Sequence, residues 1–211
     1  MRPRQISIVL VLFALLASSL VAETVVDISG QVRVRSYLDK RYFDPDSPTN
    51  DYNHLRARLA IAAVVDSNTT AFIQVQDSRD FEDDSLVGAL SGTRANTKNL
   101  DAHQAYLKVN RLFVDGIGLK AGRFEVKFGN ERLFGVDDWD NVGLAFNGAM
   151  LSFDRQNYRL SAFGLAGPME RRFENGYTAL NWGSALELKH LNVEALYYFE
   201  NIDFNYPPDS L

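Results

Sequence analysis

The feature that most constrains this fold is a series of short segments in which apolar and polar residues strictly alternate. In the first segment, Ile28, Val32 and Val34 share one side of an extended chain, and Arg33 and Arg35 share the other. Alternation with a period of two predicts β-strands with one face in apolar surroundings and one face in polar surroundings. The sequence therefore predicts an all-β protein built from amphipathic strands.

The connections between these segments alternate between long and short. We expect nine strands, with long connections after the odd-numbered strands and short ones after the even-numbered strands. Outer-membrane β-barrels follow this rule, and nothing in a soluble β-sandwich requires it. The strands are expected at about residues 27–38, 54–66, 70–76, 100–109, 117–128, 148–153, 158–165, 177–189 and 193–199. Aromatic residues that fall near strand ends, as interfacial girdles require, are Tyr37, Phe128, Phe153, Tyr158, Tyr197 and Tyr198.

The N-terminal residues have the pattern of a secretory signal peptide. A basic start is followed by a short apolar run and then by small residues up to Ala22. The apolar run is too short for a helix that crosses a membrane. No later apolar run is long enough either, so any membrane crossing would require a closed barrel. We expect a signal peptide over residues 1–22 and barrel over residues 23–211.

The predicted strand count is odd, although single-chain bacterial barrels normally close with an even number. Residues 201–211 are polar, contain Pro207 and Pro208, and lack a closing aromatic strand. We therefore expect an antiparallel transmembrane β-barrel of which this chain is an N-terminal, partial barrel of about nine strands. The whole barrel would have roughly 16–18 strands, the size at which an aqueous channel opens.

Composition and motifs argue against several functional classes. The chain has no cysteine, which excludes disulfides, thiolate metal sites and a lipoprotein anchor. Its formal net charge of −5 argues against nonspecific nucleic-acid binding. Neither a nucleophile elbow nor a glycine-rich phosphate loop is present, and His54, His103 and His190 are scattered. We expect no enzymatic activity, no cofactor and no metal site.

An acid-rich segment follows the third strand and has two interpretations. Clustered carboxylates suit a divalent cation such as calcium, but the spacing of an EF-hand is absent, which favours a solvated acidic loop. The acids concerned are Asp77, Asp80, Glu82, Asp83 and Asp84.

Basic residues occupy the polar faces of neighbouring strands. In a barrel of channel size this face lines a water-filled lumen, so we expect a basic stripe along which an anion steps between weak sites. In the alternative interpretation, these residues neutralise inward-facing acids such as Glu187 and Glu194, or are simply solvated. The six basic residues are Arg33, Arg35, Arg56, Arg58, Lys108 and Lys120.

The fifth strand changes its apolar parity after Gly122. Ile117, Leu119 and Ala121 are apolar before that glycine, and Phe124 is apolar after it. A slip of one residue would turn the wrong face outward, so the pattern predicts a β-bulge at Gly122–Arg123.

The connection after the fifth strand is long and contains Phe134, Trp139 and several acids. A long loop with its own aromatic anchors is usually a folded functional insert. Two arrangements are open: a constriction folded inward, or an extracellular cap packed around Trp139 and Phe134. The candidate constriction or anchor residues are Arg123, Glu125, Glu131, Arg132, Asp138 and Trp139.

The same stretch carries a family resemblance. The residues concerned are Gly122, Arg123, Glu125, Phe128, Gly129, Asn130, Glu131, Arg132, Leu133, Gly135, Asp138, Trp139, Asn141, Gly143, Phe146, Gly148 and Ala149. On these residues the chain resembles the alginate export family of bacterial outer-membrane β-barrel porins. The resemblance implies a barrel of the same large size and an acidic polysaccharide, or its oligomers, as a candidate solute.

We therefore expect an outer-membrane channel of a Gram-negative-type bacterium that passes anionic or polar solutes passively through a basic lumen. Its partners would be outer-membrane lipid and lipopolysaccharide, the barrel-insertion machinery and the solute, and not nucleic acid. The alternative is a non-conducting barrel with an adhesin or structural role.

Overall fold

The computed structural model contains one antiparallel sheet of nine strands and no helix within residues 24–39, 50–80, 98–168, 178–191 and 193–202, which are the residues the structure describes. The strands are β1 (Val25–Asp39), β2 (Asn50–Val64), β3 (Thr69–Asp80), β4 (Lys98–Val109), β5 (Ile117–Phe124), β6 (Phe146–Asp154), β7 (Tyr158–Pro168), β8 (Thr178–Leu188) and β9 (Val193–Ile202). Each strand pairs with its neighbours in chain order, and β1 and β9 do not pair in this part of the chain. The sheet is therefore open, as a partial barrel would be. The signal peptide predicted at residues 1–22 lies outside the described residues.

The strand boundaries confirm the predicted alternation of connection lengths. Short links of three to seven residues follow β2, β4, β6 and β8, and longer connections follow β1, β3, β5 and β7. The link after β2 is tight because the Asp66 carboxylate accepts hydrogen bonds from the backbone N–H groups of Asn68 and Thr69, at 2.7 and 2.8 Å. No helix in the described ranges is long and apolar enough to cross a membrane.

The two faces of the sheet reverse the arrangement of a water-soluble protein. One face carries Val32, Leu59 and Leu107, and is called the apolar face here. It is exposed, and Val32 is 74% accessible. The opposite face, called the polar face, carries Arg56 and His103, which are only 0% and 3% accessible. Contiguous exposed apolar surface of this kind marks contact with a membrane or a partner.

The β-bulge predicted at Gly122–Arg123 is wrong. Gly122 pairs with Tyr106 on one side and with Gly148 on the other, and the register continues without a shift. Phe124 keeps the parity of β5 and is fully buried on the polar face. The apparent change of parity arises because this part of the polar face has its own apolar cover, and because β5 ends at Phe124.

That cover is an aromatic cluster built around Phe134, from the long connection after β5. The Phe134 ring lies 5.5 Å from the rings of Phe163 and Tyr198 and 5.7 Å from the ring of Phe128. Phe128 and Tyr198 therefore face inward, and Tyr37 also lies on the polar face beside His54. The girdle position predicted for these three aromatics is wrong, because strand parity places Tyr37 and Tyr198 on the polar face and Phe128 lies in the connection after β5. The buried members of the cluster are Phe124, Val126, Phe134, Phe146, Phe163 and Leu165.

Candidate functional site

The connection between β5 and β6, residues 125–145, is called the β5–β6 loop here, and it lies across the polar face. Towards one edge of the sheet, the backbone N–H of Gly129 donates to the carboxylate of Glu194 on β9. Towards the other edge, the carbonyl of Trp139 accepts a hydrogen bond from Arg35 on β1. One loop of 21 residues, counted from the ends of the flanking strands, therefore contacts both the first and the last strand.

Two arginines of β1 hold three consecutive carbonyl groups of this loop. Arg33 donates from one Nη to the carbonyl of Asp138, and from the other to the carbonyl of Asp140 at 2.7 Å. Arg35 donates to the carbonyl of Trp139 between them. A planar guanidinium presents several N–H donors in a rigid fork, so two such side chains fix the backbone of this loop segment.

The Asp138 carboxylate lies among three arginines. Its oxygens are 2.7 Å from Arg56 Nη2, 3.6 Å from Arg58 Nη1 and 3.7 Å from Arg33 Nη1. Burial raises the pKa of the Asp138 carboxyl, but the hydrogen bond from Arg56 and the three positive charges outweigh it, so the pKa lies below its usual value. The fully buried Arg56 also donates to the side-chain oxygen of Gln31 at 2.8 Å. The buried guanidinium is thus matched by a carboxylate from the loop.

A second polar group joins the start and the end of the loop to β2, β3 and β4. Glu125 Oε1 lies 2.9 Å from His103 Nε2 and 3.4 Å from Arg58 Nη1. Arg58 also donates to the side-chain oxygen of Gln76, whose amide nitrogen donates to the carbonyl of Val142 at 2.7 Å. His103 Nε2 lies 3.1 Å from Arg58 Nη2 as well. It can donate to Glu125 or accept from Arg58, so its tautomer decides which contact is a hydrogen bond.

An irregularity in the sheet aims His103 at this group. The register between β3 and β4 passes from Gln74–Gln104 to Val75–Ala102 and leaves His103 as the extra residue. Consecutive residues of a regular strand face opposite sides, but a bulge lets both His103 and Gln104 contact polar-face partners. The bulge therefore lies in β4 and not at Gly122–Arg123 in β5, and it turns the His103 side chain towards Glu125 and Arg58.

Asn141 fastens the loop to the strand backbone. Its side-chain amide donates to the carbonyls of Leu55 and Arg79 at 3.0 and 3.2 Å, and its own carbonyl accepts from Ser78 at 3.0 Å. Gly143 follows with a φ of 77°, and a β-carbon there would come within 2.8 Å of a guanidinium nitrogen of Arg58. No sequence pattern indicates the contacts of these residues: the direction of His103 depends on the pairing of β3 with β4, and Asn141 and Gly143 lie in a loop without periodicity.

The two lysines of the predicted basic stripe form a separate group. Lys108 and Lys120 are directly opposite each other on β4 and β5, near the short-link end of the sheet. Lys120 Nζ lies 4.1 Å from the ring of Tyr106 and 4.6 Å from the ring of Phe124. Neither lysine forms an ion pair with a described residue. Both line a cavity of about 370 Å³ on the polar face.

The predicted stripe therefore divides into a loop-bound arginine group and a lysine pair that forms no ion pair with a described residue. The two acids considered as alternative partners have other contacts: Glu187 pairs with Arg159 at 3.3 Å, and Glu194 accepts from Gly129. No ion pair joins either acid to the six basic residues in the described part of the chain. The pore-lining role of the six residues stays a prediction.

The other candidate loop residues are more dispersed. Arg123 lies one residue from Phe124 on β5 and so points to the apolar side of the sheet, where it donates to the carbonyl of His103 at 3.2 Å. The Glu131 carboxylate accepts from the backbone N–H of Val136 within the loop, at 3.1 Å. Arg132 lines a cavity of about 690 Å³ between the loop and strands β6 to β9.

The acid-rich segment is only partly described. Asp77 and Asp80 belong to β3, where Asp77 accepts from Arg79 at 2.9 Å and Asp80 lies 3.4 Å from His54. Within the described ranges, no group of three or more metal-binding side chains is present. The other acids of that segment, Glu82, Asp83 and Asp84, lie outside those ranges.

Comparison with protein families places the whole site within a known family. The sequence model of a protein family described as alginate export matches residues 25–199. The matched range begins at the first residue of β1 and extends into β9, so it includes the arginine group, the lysine pair and the whole β5–β6 loop. No curated protein matches the chain significantly.

Proposed function

Because the chain belongs to the alginate export family, we propose that its sheet is part of the wall of an outer-membrane transport channel. The channel passes anionic or polar solutes, including acidic polysaccharide or its oligomers, passively through a basic lumen. In this proposal the apolar face contacts lipid and lipopolysaccharide, and the polar face lines the lumen.

The observation that carries the proposal is the opposite exposure of the two faces. Val32, Ile61 and Leu107 are exposed, while Arg56 on the other face is completely covered. In water this arrangement would be unfavourable, because every exposed apolar side chain loses its hydrophobic contribution. In a barrel the same alternation is favourable, since the outward band meets hydrocarbon and the interior is polar.

The two basic groups have different roles in the channel. The arginine group binds the β5–β6 loop, so its charges are partly matched by Asp138 and by loop carbonyls. Lys108 and Lys120 form no ion pair in the described part of the chain, although Asp154 lines the same cavity. Their charges are therefore less fully matched than those of the arginine group and can attract a solute anion. An ammonium group acts as a point charge and attracts passing anions without holding them in a bidentate grip.

One observation favours the non-conducting barrel as the second candidate. The β5–β6 loop reaches from Glu194 on β9 to Arg35 on β1, so it covers much of the polar face. If the rest of the lumen were equally covered, the protein would be an adhesin or a structural barrel. Electrical conductance separates the two candidates directly.

The test is conductance of the purified protein in planar bilayers under a salt gradient, with Lys108→Gln as the lumen variant. We expect stable anion-selective steps for the wild type and a reversal potential shifted towards cation selectivity for the variant. The matched control is Arg111→Gln, which removes one positive charge three residues away in the exposed β4–β5 link, where Arg111 pairs with Asp115. A correctly inserted protein that never conducts would favour the second candidate, and equal shifts in both variants would contradict the lumen position of Lys108.

A further inference from the structure

Trp139 is an unusual loop aromatic because most of its side chain is open to the space over the polar face. It is 71% exposed, whereas Phe134 in the same loop and Phe146 at the start of β6 are 4% and 8% exposed. Burying an aromatic ring stabilises a folded protein strongly. The Trp139 ring is mostly exposed, so it does not make this packing contribution. The exposed indole therefore requires a different explanation.

The position of the exposed indole is fixed by its backbone. The carbonyls of Asp138, Trp139 and Asp140 are all hydrogen-bonded to Arg33 or Arg35. Three held carbonyls in a row restrain the loop on both sides of the indole. The ring is thus presented on a rigid support although its own surface is not packed, and such preorganisation lowers the entropic cost of binding.

Two further side chains complete the surface. The guanidinium carbon of Arg35 lies 4.9 Å from the centre of the Trp139 ring and 5.4 Å from that of Tyr37. The Tyr37 and Trp139 rings meet edge to face, with centres 6.3 Å apart. In the described part of the chain, Arg35 donates a single hydrogen bond, to the Trp139 carbonyl, and other guanidinium N–H groups remain for a carboxylate.

We propose that Trp139, Tyr37 and Arg35 form a stacking site for acidic sugar, in which the indole binds the apolar face of a pyranose ring and Arg35 binds its carboxylate. A sugar ring presents C–H groups on its face and polar groups on its rim, so it matches a flat aromatic surface beside a guanidinium. The proposal rests on the proposed channel function, and it adds a site selective for sugar, which small inorganic anions would not use.

The other tryptophan of the chain is a natural contrast. The sequence contains two tryptophans. Trp182 lies on β8 with the parity of the apolar face and is 55% exposed there. Lipid contact explains an exposed Trp182. It does not explain Trp139, which contacts Arg35 and Tyr37 on the polar face.

Because there are only two tryptophans, fluorescence can report on each one separately. Trp182→Phe leaves Trp139 as the single indole emitter, and Trp139→Phe leaves Trp182 as the matched control. Each variant, inserted in lipid vesicles, is titrated with a hexamer of galacturonate and with neutral maltohexaose. Planar-bilayer conductance of the same preparations verifies that the channels are intact.

The expected result is a saturable change of Trp139 emission with the galacturonate hexamer, at concentrations about tenfold below those needed for maltohexaose. The Trp139→Phe protein should show no change, and the hexamer should block its current about tenfold less effectively than that of the wild type.

Conducting channels with no change of Trp139 emission would overturn the stacking site. Equal responses to the neutral and acidic hexamers would overturn the role of Arg35. Absence of conductance in the wild type would instead contradict the proposed function, so the two failures are distinguishable.

Discussion

The Asp138 carboxylate and the Arg56 guanidinium lie 2.7 Å apart, although 82 residues separate them in the chain. Arg56 is completely buried in the sheet, whereas the Asp138 side chain is 57% exposed on the loop. The pair therefore links an inaccessible strand residue to the solvent side of the β5–β6 loop. Removing Asp138 would leave Arg56 as a buried charge without its carboxylate. Removing Arg56 would leave Asp138 largely exposed to solvent, so the two substitutions have unequal consequences.

Asp138→Asn should loosen the β5–β6 loop and make the open-channel current noisier. The variant removes the charge that matches Arg56, while the carbonyl contacts of Arg33 and Arg35 remain. Single-channel recordings measure the noise. The matched control is Asp115→Asn, in the exposed link after β4, which should behave as the wild type. Equal noise in the wild type and in Asp138→Asn would contradict this role of the pair.

The same pair predicts a pH dependence. The pKa of Asp138 is lowered, because Arg56, Arg58 and Arg33 outweigh the effect of burial. A carboxyl with a lowered folded pKa stabilises fully above its unfolded pKa of about 4, and the contribution is lost as the pH falls through the folded value. Channel noise of the wild type should therefore rise only below about pH 4, and Asp138→Asn should show no such step. A step in channel noise in the neutral pH range that persists in Asp138→Asn would show that another group titrates.

The aromatic cluster predicts a large difference between two adjacent loop positions. Phe134 is 4% exposed and contacts four aromatic rings, whereas Leu133 is 64% exposed. Phe134→Ala should reduce the free energy of unfolding by about 3–5 kcal/mol, while Leu133→Ala should change it by less than about 1 kcal/mol. Urea unfolding of the protein in lipid vesicles measures both. Similar losses for the two variants would show that the cluster does not hold the loop.

Gly129 and Gly143 both have a positive φ, but only at Gly143 would a β-carbon also make a close contact. Alanine substitutions at the two positions therefore compare the cost of backbone strain alone with the cost of strain plus a steric contact. A β-carbon at Gly143 would lie 2.8 Å from Arg58, but one at Gly129 would meet only Glu194, at an ordinary 3.6 Å. Gly129→Ala should cost about 1–2 kcal/mol for the left-handed backbone alone. Gly143→Ala should cost more in the same unfolding measurement, because Arg58 must also move. Equal costs would remove the argument that the close approach to Arg58 requires this glycine.

The alternation of apolar and polar residues is sufficient to predict the sheet, because it indicates which residues of a strand share a face. It does not indicate what covers the polar face. Phe124 was assigned to the wrong side because an apolar residue was expected to face lipid, whereas Phe134, ten residues later, supplies apolar cover on the other side. A loop that returns to the sheet leaves no periodic signal.

The candidate site was predictable only in part for the same reason. Arg33, Arg56 and their neighbours stand out as charges within apolar strands. Their partners in the distant β5–β6 loop are backbone carbonyls and the carboxylates of Asp138 and Glu125. Carbonyl groups are present at every residue, so a sequence does not show which of them an arginine will bind. The bulge that aims His103 depends on the pairing of β3 with β4, which no single strand reveals.

The proposed channel requires that the polar face lines water while the apolar face meets lipid, and cysteine accessibility reports on both faces. The chain has no cysteine, so single substitutions report without background. Lys108→Cys on the polar face and Val32→Cys on the apolar face would be placed in membranes and treated with a water-soluble maleimide. We expect rapid labelling at position 108 and protection at position 32 until detergent is added. Equal labelling of both positions in intact membranes would contradict it.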